Sequence, residues 1–226
     1  MRTKGFIFDL DGVIVDTARY HYLAWKKLAN TLGFDIDEAQ NEKLKGVSRV
    51  KSLRIILEWG NMTLTEAEFQ RCLALKNEDY LSYISTMTPA DVLPGVSRII
   101  NYVLSKNQPI ALGSASKNAG IILEKIGFLS LFNAIVDGNE VSKAKPHPEV
   151  FLIAAEKMKV NPKNCIVFED AIAGIEAANA AGMISVGIGH KNVLHGADYI
   201  FRDFTAMQVD FIDKLLNHES ELHHTK

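Results

Sequence analysis

An aspartate pair near the N-terminus is the first feature of this chain that suggests a reaction centre. The sequence Asp9-Leu10-Asp11-Gly12 follows the apolar run Phe6-Ile7-Phe8, and Gly12 permits a sharp turn. Carboxylates at the carboxyl end of a strand lie where doubly wound sheets bind ligands. Taken alone, the motif fits a solvated aspartate-rich turn equally well. An EF-hand calcium loop is disfavoured, because Val13-Ile14-Val15 supplies no side-chain oxygen after the glycine.

Three later sites place polar side chains after a predicted strand or just before a predicted helix. Ser114 follows the apolar run 110–113, and the start of the next helix offers backbone N–H groups to a phosphate. Lys145 precedes another helix and could neutralise phosphate charge, while Glu169-Asp170 forms a second acidic pair. Each site alone has an ordinary explanation: a cap serine, a surface lysine, or acids at a helix N-terminus. Together and in this order they are improbable as coincidence.

The elements that position these residues follow from the hydrophobic pattern. Apolar runs typical of buried strands cover residues 6–10, 110–113, 134–136, 165–168, 184–188 and, more weakly, 199–201. From residue 95 onward they alternate with helical patterns, at 97–105, 118–126, 148–158, 171–181 and 205–216. This alternation predicts an α/β fold with a Rossmann-like parallel sheet covered on both faces.

The segment between the first and second strands breaks the alternation. Residues 17–32, 49–59 and 65–84 carry helical patterns with no convincing strand between them, and Thr65-Glu66-Ala67-Glu68 fits a capping box. An all-helical block at this point predicts an inserted helical cap domain. We expect the cap to span residues 16–87 and the core to comprise residues 1–15 and 88–226.

Composition excludes several classes of function. The chain has 226 residues, 47% of them apolar and 23% charged, with a net charge of −2, which is typical of soluble globular proteins. Near-neutral charge gives no support for a nucleic-acid or anionic-membrane partner. The longest stretch without charge, 177–190, is too short and polar for a transmembrane helix. The two cysteines form no zinc motif, and Asp9 interrupts any signal-peptide pattern. We therefore expect a cytoplasmic monomer.

The four polar sites together resemble the motifs of the haloacid dehalogenase superfamily of phosphotransferases. The resemblance covers essentially the whole chain, and further residues are similar to the β-phosphoglucomutase subfamily in particular. These further residues are Thr17, His21, Trp25, the run 44–49, Ser52, Lys76-Asn77 and the run 114–118.

The resemblance implies catalytic roles for the core residues. Asp9 is then a nucleophile that forms an aspartyl-phosphate, and Asp11 is the general acid and base for the sugar hydroxyl. Ser114 and Lys145 bind the transferring phosphoryl oxygens. Two carboxylates and a phosphate in one pocket require a cation, and Mg²⁺ suits oxygen ligands. Its expected ligands are Asp9, the backbone carbonyl of Asp11, Asp170 and, directly or through water, Glu169.

The resemblance also implies roles for residues of the cap. Arg49 grips the phosphate that is not reacting, since a guanidinium binds phosphate in a forked geometry. The backbone of Gly46 and Val47 approaches the sugar, and Thr17 and His21 couple cap closure to Asp11. The other expected substrate contacts are Ser52, Lys76, Ala115, Ser116, Lys117 and Asn118. Without the resemblance, a solvated arginine, a solvated lysine and a packed histidine are the ordinary alternatives.

The leading functional hypothesis is a Mg²⁺-dependent enzyme that interconverts β-D-glucose 1-phosphate and β-D-glucose 6-phosphate through β-glucose 1,6-bisphosphate. A sugar-phosphate phosphatase of the same superfamily is the nearest alternative, and Arg49 with Gly46-Val47 favours the mutase. A non-catalytic metal- or phosphate-binding module is the alternative from another class. The presence of both Asp9 and Asp11 argues against it, because binding alone needs no second acid.

Overall fold

A six-stranded sheet forms the centre of the structure, a computed structural model that describes residues 3–44 and 47–217. The strands are β1 (Gly5–Phe8), β2 (Ile110–Gly113), β3 (Ala134–Val136), β4 (Cys165–Glu169), β5 (Ile184–Ile188) and β6 (Tyr199–Phe201). All neighbours are parallel, in the order β3-β2-β1-β4-β5-β6. The order reverses between β1 and β4, so their carboxyl ends flank the crevice where such sheets bind ligands. The predicted Rossmann-like α/β fold is confirmed.

The chain between β1 and β2 is helical, as predicted. Within residues 16–87 the helices are α1 (Ala18–Thr31), α2 (Glu38–Glu42), α3 (Arg49–Trp59) and α4 (Glu66–Ile84), and no strand occurs in the described part of this segment. Thr65 and Glu68 form the predicted capping box of α4. The hydrophobic pattern does not predict α2, because a helix of five residues is too short to show a helical period. Helices α1, α3 and α4 enclose a hydrophobic cluster that includes Trp25, Leu28, Leu53, Ile56 and Leu73.

Helices cover both faces of the sheet. They are α5 (Val96–Ser105), α6 (Ala119–Lys125), α7 (Glu149–Met158), α8 (Ile172–Ala180) and α9 (Val209–Asn217). Side chains alternate along β1, so that Phe6 and Phe8 pack with α5, α6 and α9 while Ile7 packs with α7 and α8. This two-sided burial explains why the strands are continuous apolar runs in the sequence.

Two predicted boundaries differ from the structure by two residues or more. The first strand ends at Phe8 rather than Leu10, because Leu10 O accepts hydrogen bonds from the N–H groups of Ile14 and Val15 and so belongs to a loop. The last helix begins at Val209 rather than residue 205. The Asp203 side chain accepts hydrogen bonds from the N–H groups at 205 and 206 and holds a turn there. No described helix is long and apolar enough to cross a membrane.

Candidate active site

The aspartate pair lies directly after β1, at the reversal point of the sheet. Asp9 N–H still bonds to Phe168 O at 3.0 Å, as a strand residue would. The chain then turns sharply at Gly12, whose φ is +81° and whose N–H bonds to Val15 O at 2.7 Å. Strand alternation alone would send Asp9 and Asp11 to opposite faces of the sheet. The turn instead brings both carboxylates to one cavity.

This cavity has a volume of about 360 Å³ and lies between the helical segment and the sheet. It brings together almost every predicted site residue. Those that line it are Asp9, Asp11, His21, Val47, Arg49, Ser52, Lys76, Ser114, Ala115, Ser116, Lys117, Asn118, Lys145, Glu169 and Asp170. Thr17 is fully buried and is not part of the cavity lining. Gly46 lies outside the described residues.

Lys145 is buried at the base of the cavity, with all three of its N–H bonds engaged. Its Nζ atom lies 2.6 Å from Asp9 Oδ1, 2.7 Å from Glu169 Oε1 and 3.0 Å from Gly113 O. Burial lowers the pKa of Lys145, but the two carboxylates outweigh burial and raise the pKa above its ordinary value. The ammonium therefore stays charged beside Asp9.

Glu169 holds Lys145 in place. Its Oε1 atom pairs with Lys145, and its Oε2 atom accepts a hydrogen bond from Ala171 N–H at 2.7 Å. The carboxyl group packs directly over Gly174, where an added Cβ would lie 1.9 Å from the carboxyl carbon. Burial raises the pKa of Glu169, against the opposing effect of Lys145. Both carboxylate oxygens thus already have partners within the protein.

Asp170 lies against the turn that carries the first acidic pair. A Cβ on Gly12 would lie 2.1 Å from Asp170 Oδ2, so only glycine permits this approach. Asp9 and Asp170 both line the cavity, and carboxylate oxygens are the ligands that hard divalent cations prefer. No three Asp, Glu, His or Cys side chains among the described residues converge to hold a metal.

Asp11 has the electrostatic environment of a general acid and base. Burial raises its pKa to about 7, and the negative charge of Asp9 adds to this effect, whereas Lys145 and Lys76 oppose it. The Thr17 hydroxyl donates a short hydrogen bond to Asp11 Oδ1. A carboxyl group that titrates near neutral pH can both give and take a proton during turnover.

Lys76 on α4 is a buried cation that lines the cavity from the side of the helical segment. It is 1% exposed, and its Nζ atom lies 2.8 Å from His21 Nδ1 and about 5 Å above the rings of Trp25 and Tyr80. Within the described chain it forms no ion pair with a carboxylate. Burial, together with repulsion from Arg49, lowers the pKa of Lys76 to about 7. Burial, together with repulsion from Lys76 and Arg49, also lowers the pKa of His21 well below its ordinary value, so His21 is neutral.

Arg49 begins α3, and its guanidinium lines the cavity. The Ser48 side chain caps this helix by accepting a hydrogen bond from a backbone N–H. Burial lowers the pKa of Arg49, and no carboxylate pairs with it in the described residues. Together with Lys76 it makes this side of the cavity attractive to an anion.

The loop after β2 supplies hydroxyl and amide groups from the sheet side. Ser114 is fully buried and its Oγ atom accepts a hydrogen bond from Ser116 N–H at 3.1 Å. Ser116 Oγ in turn accepts from Asn118 N–H at 3.2 Å, which gives the loop a compact form. Asn118 Nδ2 donates to Asn77 Oδ1 at 2.9 Å and so connects the loop to α4. Lys117 lines the cavity from an exposed position.

Several residues that line the cavity are not among the predicted site residues. Examples are Asn41, Val50, Ser142 and Lys143. Neither Asn41 nor Val50 belongs to a pattern that marks it as functional. Lys143 could have been found, because it lies two residues before Lys145 in a segment already expected to enter the site.

Comparisons with known proteins agree with this geometry. The family model of haloacid dehalogenase-like hydrolases matches residues 3–182. The β-phosphoglucomutase of Bacillus subtilis is 43% identical over 92% of this chain and 93% of its own length. The fructose-1-phosphate phosphatase of Escherichia coli is 33% identical over 83% of this chain and 97% of its own.

Solved structures show the same likeness. The crystal structure of a β-phosphoglucomutase from Clostridium difficile superposes with a TM-score of 0.92 at 45% identity, covering 96% of this chain and 98% of that one. The family match spans both acidic pairs, Ser114 and Lys145. This chain therefore belongs to the haloacid dehalogenase-like hydrolase family.

Proposed function

We propose that this enzyme is a β-phosphoglucomutase, which interconverts β-D-glucose 1-phosphate and β-D-glucose 6-phosphate. One observation carries the proposal beyond the family. The cavity that holds Asp9 and Asp11 also holds Arg49 and Lys76, two cations without carboxylate partners in the described residues. Such groups suit a substrate with a second phosphate. The likeness to mutases from Bacillus subtilis and Clostridium difficile supports the same reaction.

Asp9 and Asp11 divide the chemistry between them. An Asp9 oxygen attacks phosphorus of the sugar bisphosphate, the bond from phosphorus to the sugar oxygen breaks, and Asp11 gives that oxygen a proton. In the second half-reaction Asp11 takes the proton of the other sugar hydroxyl. That oxygen attacks phosphorus, and the aspartyl-phosphate bond breaks. The pKa of about 7 at Asp11 fits both directions of proton transfer.

Ser114 and Lys145 stabilise the phosphoryl group during both transfers. The Lys145 ammonium lies 2.6 Å from Asp9 Oδ1 and brings positive charge to the place where phosphoryl charge develops. Ser114 lines the cavity beside it and supplies a hydroxyl. We assign Glu169 the role of fixing Lys145, because both of its oxygens already have partners.

The family and its relatives imply a divalent metal, and we propose Mg²⁺. Asp9, Asp170 and the Asp11 carbonyl would hold it, with Glu169 contributing through water. When bound, the ion supplies positive charge that offsets repulsion between the carboxylates and the phosphate. The close approach of Asp170 to Gly12 supports this set of ligands.

We propose that residues 16–87 act as a cap over a core of residues 1–15 and 88–226. Arg49 would hold the phosphate that is not reacting, with Ser116, Lys117 and Asn118 as partners from the core. Gly46, Val47 and Ser52 would contact the sugar, and Ala115 its phosphate through backbone. Thr17 and His21 would form the hinge. The proposed setting is the cytoplasm, with a monomer acting on sugar phosphates.

Phosphorus NMR tests this function against the phosphatase alternative. The purified protein is incubated with β-glucose 1-phosphate, Mg²⁺ and a catalytic amount of β-glucose 1,6-bisphosphate. We expect the signal of glucose 6-phosphate to replace that of the substrate. Accumulation of inorganic phosphate instead would identify a phosphatase, as in the relative from Escherichia coli that is named for fructose 1-phosphate.

A further inference from the structure

Tyr80 on α4 carries a polar group that the proposed chemistry leaves unexplained. Its side chain is 0% exposed, and its hydroxyl has no hydrogen-bond partner among the described residues. Buried polar groups nearly always have a partner, so such an exception calls for a reason. A phenylalanine would fill the same space without the cost of burying an unpaired hydroxyl.

The position of Tyr80 suggests that reason. It belongs to α4 of the proposed cap, yet it packs in the cluster of Leu10 and Val13 beneath the sheet rather than in the cluster between the cap helices. Its ring lies against His21, with a centroid distance of 4.2 Å, and Lys76 Nζ lies 4.5 Å from the ring centre. Tyr80 thus lies where the helical segment meets the sheet.

The ring of Tyr80 contacts His21, which lies one helical turn along the chain from Thr17, the residue that bonds to the proposed general acid and base. Burial and the Asp11 carboxylate raise the pKa of Tyr80, while the side chains of Thr17 and Ser116 lower it. The Tyr80 hydroxyl itself has no hydrogen-bond partner among the described residues. Thr17 donates its own proton to Asp11, and its hydroxyl oxygen can still accept one.

We propose that Tyr80 is a positioning residue for phosphoryl transfer, and that in the reacting state its O–H group donates to Thr17 Oγ1 while Thr17 donates to Asp11. The inference rests on the proposed function. A Thr17 hydroxyl that accepts from Tyr80 keeps its own proton available for the Asp11 carboxylate. Bonds in such a chain also polarise one another. Asn77, which bonds to Asn118, joins α4, the helix that carries Tyr80, to the core loop that lines the cavity.

Tyr80→Phe removes only the hydroxyl and is the central test. Two steps are measured: formation of the phospho-enzyme from acetyl phosphate, and transfer from the phospho-enzyme to glucose phosphate. Acetate leaves without a proton, so the first rate should not change. The second needs Asp11 to handle a proton and should fall about tenfold, the size expected for one lost hydrogen bond. The melting temperature should stay equal or rise, because an unpaired hydroxyl has gone. Tyr83→Phe, on the same helix, is the matched control.

A double substitution shows whether Tyr80 acts through Thr17. In a Thr17→Val background, Tyr80→Phe should cause no further loss, because the acceptor of the proposed bond is absent. The proposal is overturned if Tyr80→Phe leaves transfer unchanged, slows both steps equally, or adds independently to Thr17→Val. A wild-type enzyme that yields no glucose 6-phosphate overturns the proposed function instead, and that result is obtained before any variant is made.

Discussion

The two sides of the cavity differ in how their buried charges are paired. On the sheet side, Lys145 lies within 2.7 Å of both Asp9 and Glu169. On the helical side, Lys76 is also buried, but its hydrogen-bond partner is the neutral ring of His21. Arg49 repels it, and the Asp11 carboxylate attracts it without forming an ion pair. Lys145 therefore needs no ligand to neutralise its charge. Lys76 has no such partner, and an anion in the cavity would provide one.

This difference separates two functions that one site must combine. A fully paired buried charge has a fixed position, which suits the residues around a nucleophile. An unpaired buried cation destabilises the empty protein, and an anion that binds it stabilises the folded state in proportion to its affinity. We infer that the sheet side is preorganised for phosphoryl transfer, whereas the helical side sacrifices stability in order to recognise the distant phosphate.

The largest expected effect is that of Asp9→Asn on activity. The amide cannot form an aspartyl-phosphate, so neither phospho-enzyme nor glucose 6-phosphate should appear. Folding should survive, because Lys145 keeps its bonds to Glu169 and to Gly113 O. Turnover is measured alongside the melting temperature, with mass spectrometry to exclude deamidation back to aspartate. Turnover by an Asp9→Asn protein of verified mass would contradict the assignment of Asp9 as the nucleophile.

Lys145→Ala tests whether the sheet side is held together by its paired charges. The substitution leaves two buried carboxylates without their common partner, and about 3–5 kcal/mol of unfolding free energy should be lost. Lys157→Ala is the matched control. Its exposed pair with Glu140 should contribute at most about 1 kcal/mol. Equal losses in the two variants, measured by urea denaturation, would contradict the first half of the comparison.

How much of this could be read from the sequence differs between the two sides. The sheet was predictable because strands buried on both faces are continuous apolar runs, and the four core motifs follow those strands directly. Strand alternation alone would separate Asp9 from Asp11, but Gly12 in the sequence permits the sharp turn that the structure shows there. The pairing of Lys145 with Glu169 joins residues 24 positions apart and needs the folded sheet.

The helical side was harder to predict for a physical reason. For Lys76, a solvated lysine on the helix surface is the ordinary expectation, because a single charged residue in a helix usually faces water. Its neighbours Cys72, Leu73, Tyr80 and Ile84 are all buried, and spacings of three and four residues place Lys76 within their stripe. A lysine inside an apolar stripe was the available signal. The orphaned Tyr80 hydroxyl gives no sequence signal at all.

Arg49→Ala tests the anion-binding role of the helical side. If Arg49 holds the distant phosphate, transfer to glucose phosphate should lose about 2–5 kcal/mol of transition-state stabilisation. Phospho-enzyme formation from acetyl phosphate should be unchanged, because Asp9 and Lys145 lie on the other side. Arg54→Ala, which removes an arginine stacked on Phe69 in the same helix, serves as control. An equal loss in both steps would make Arg49 a structural residue.

Lys76→Met gives the smallest and most specific effect, a gain in stability that depends on pH. The pKa of Lys76 is about 7 in the folded chain against 10.5 in an unfolded one. Between these values the unfolded chain binds a proton that the folded chain has released, so this group makes stability rise with pH. Below pH 7 both states are charged and the burial penalty is full. Methionine removes the penalty but leaves His21 Nδ1 without its partner.

The net gain for Lys76→Met should therefore be about 1–3 kcal/mol at pH 6, and it should shrink steadily as the pH rises from 7 towards 10.5. Urea denaturation at a series of pH values measures it, with Lys27→Met on α1 as a control whose exposed ammonium should give no such trend. A gain that is independent of pH would mean that Lys76 has the same pKa in the folded and the unfolded chain, as a hydrated ammonium would. The same variant should bind sugar phosphates more weakly than the wild type. Greater stability with weaker binding in one variant is what an unpaired cation kept for an anionic ligand requires, and a lysine kept only for packing would not give it.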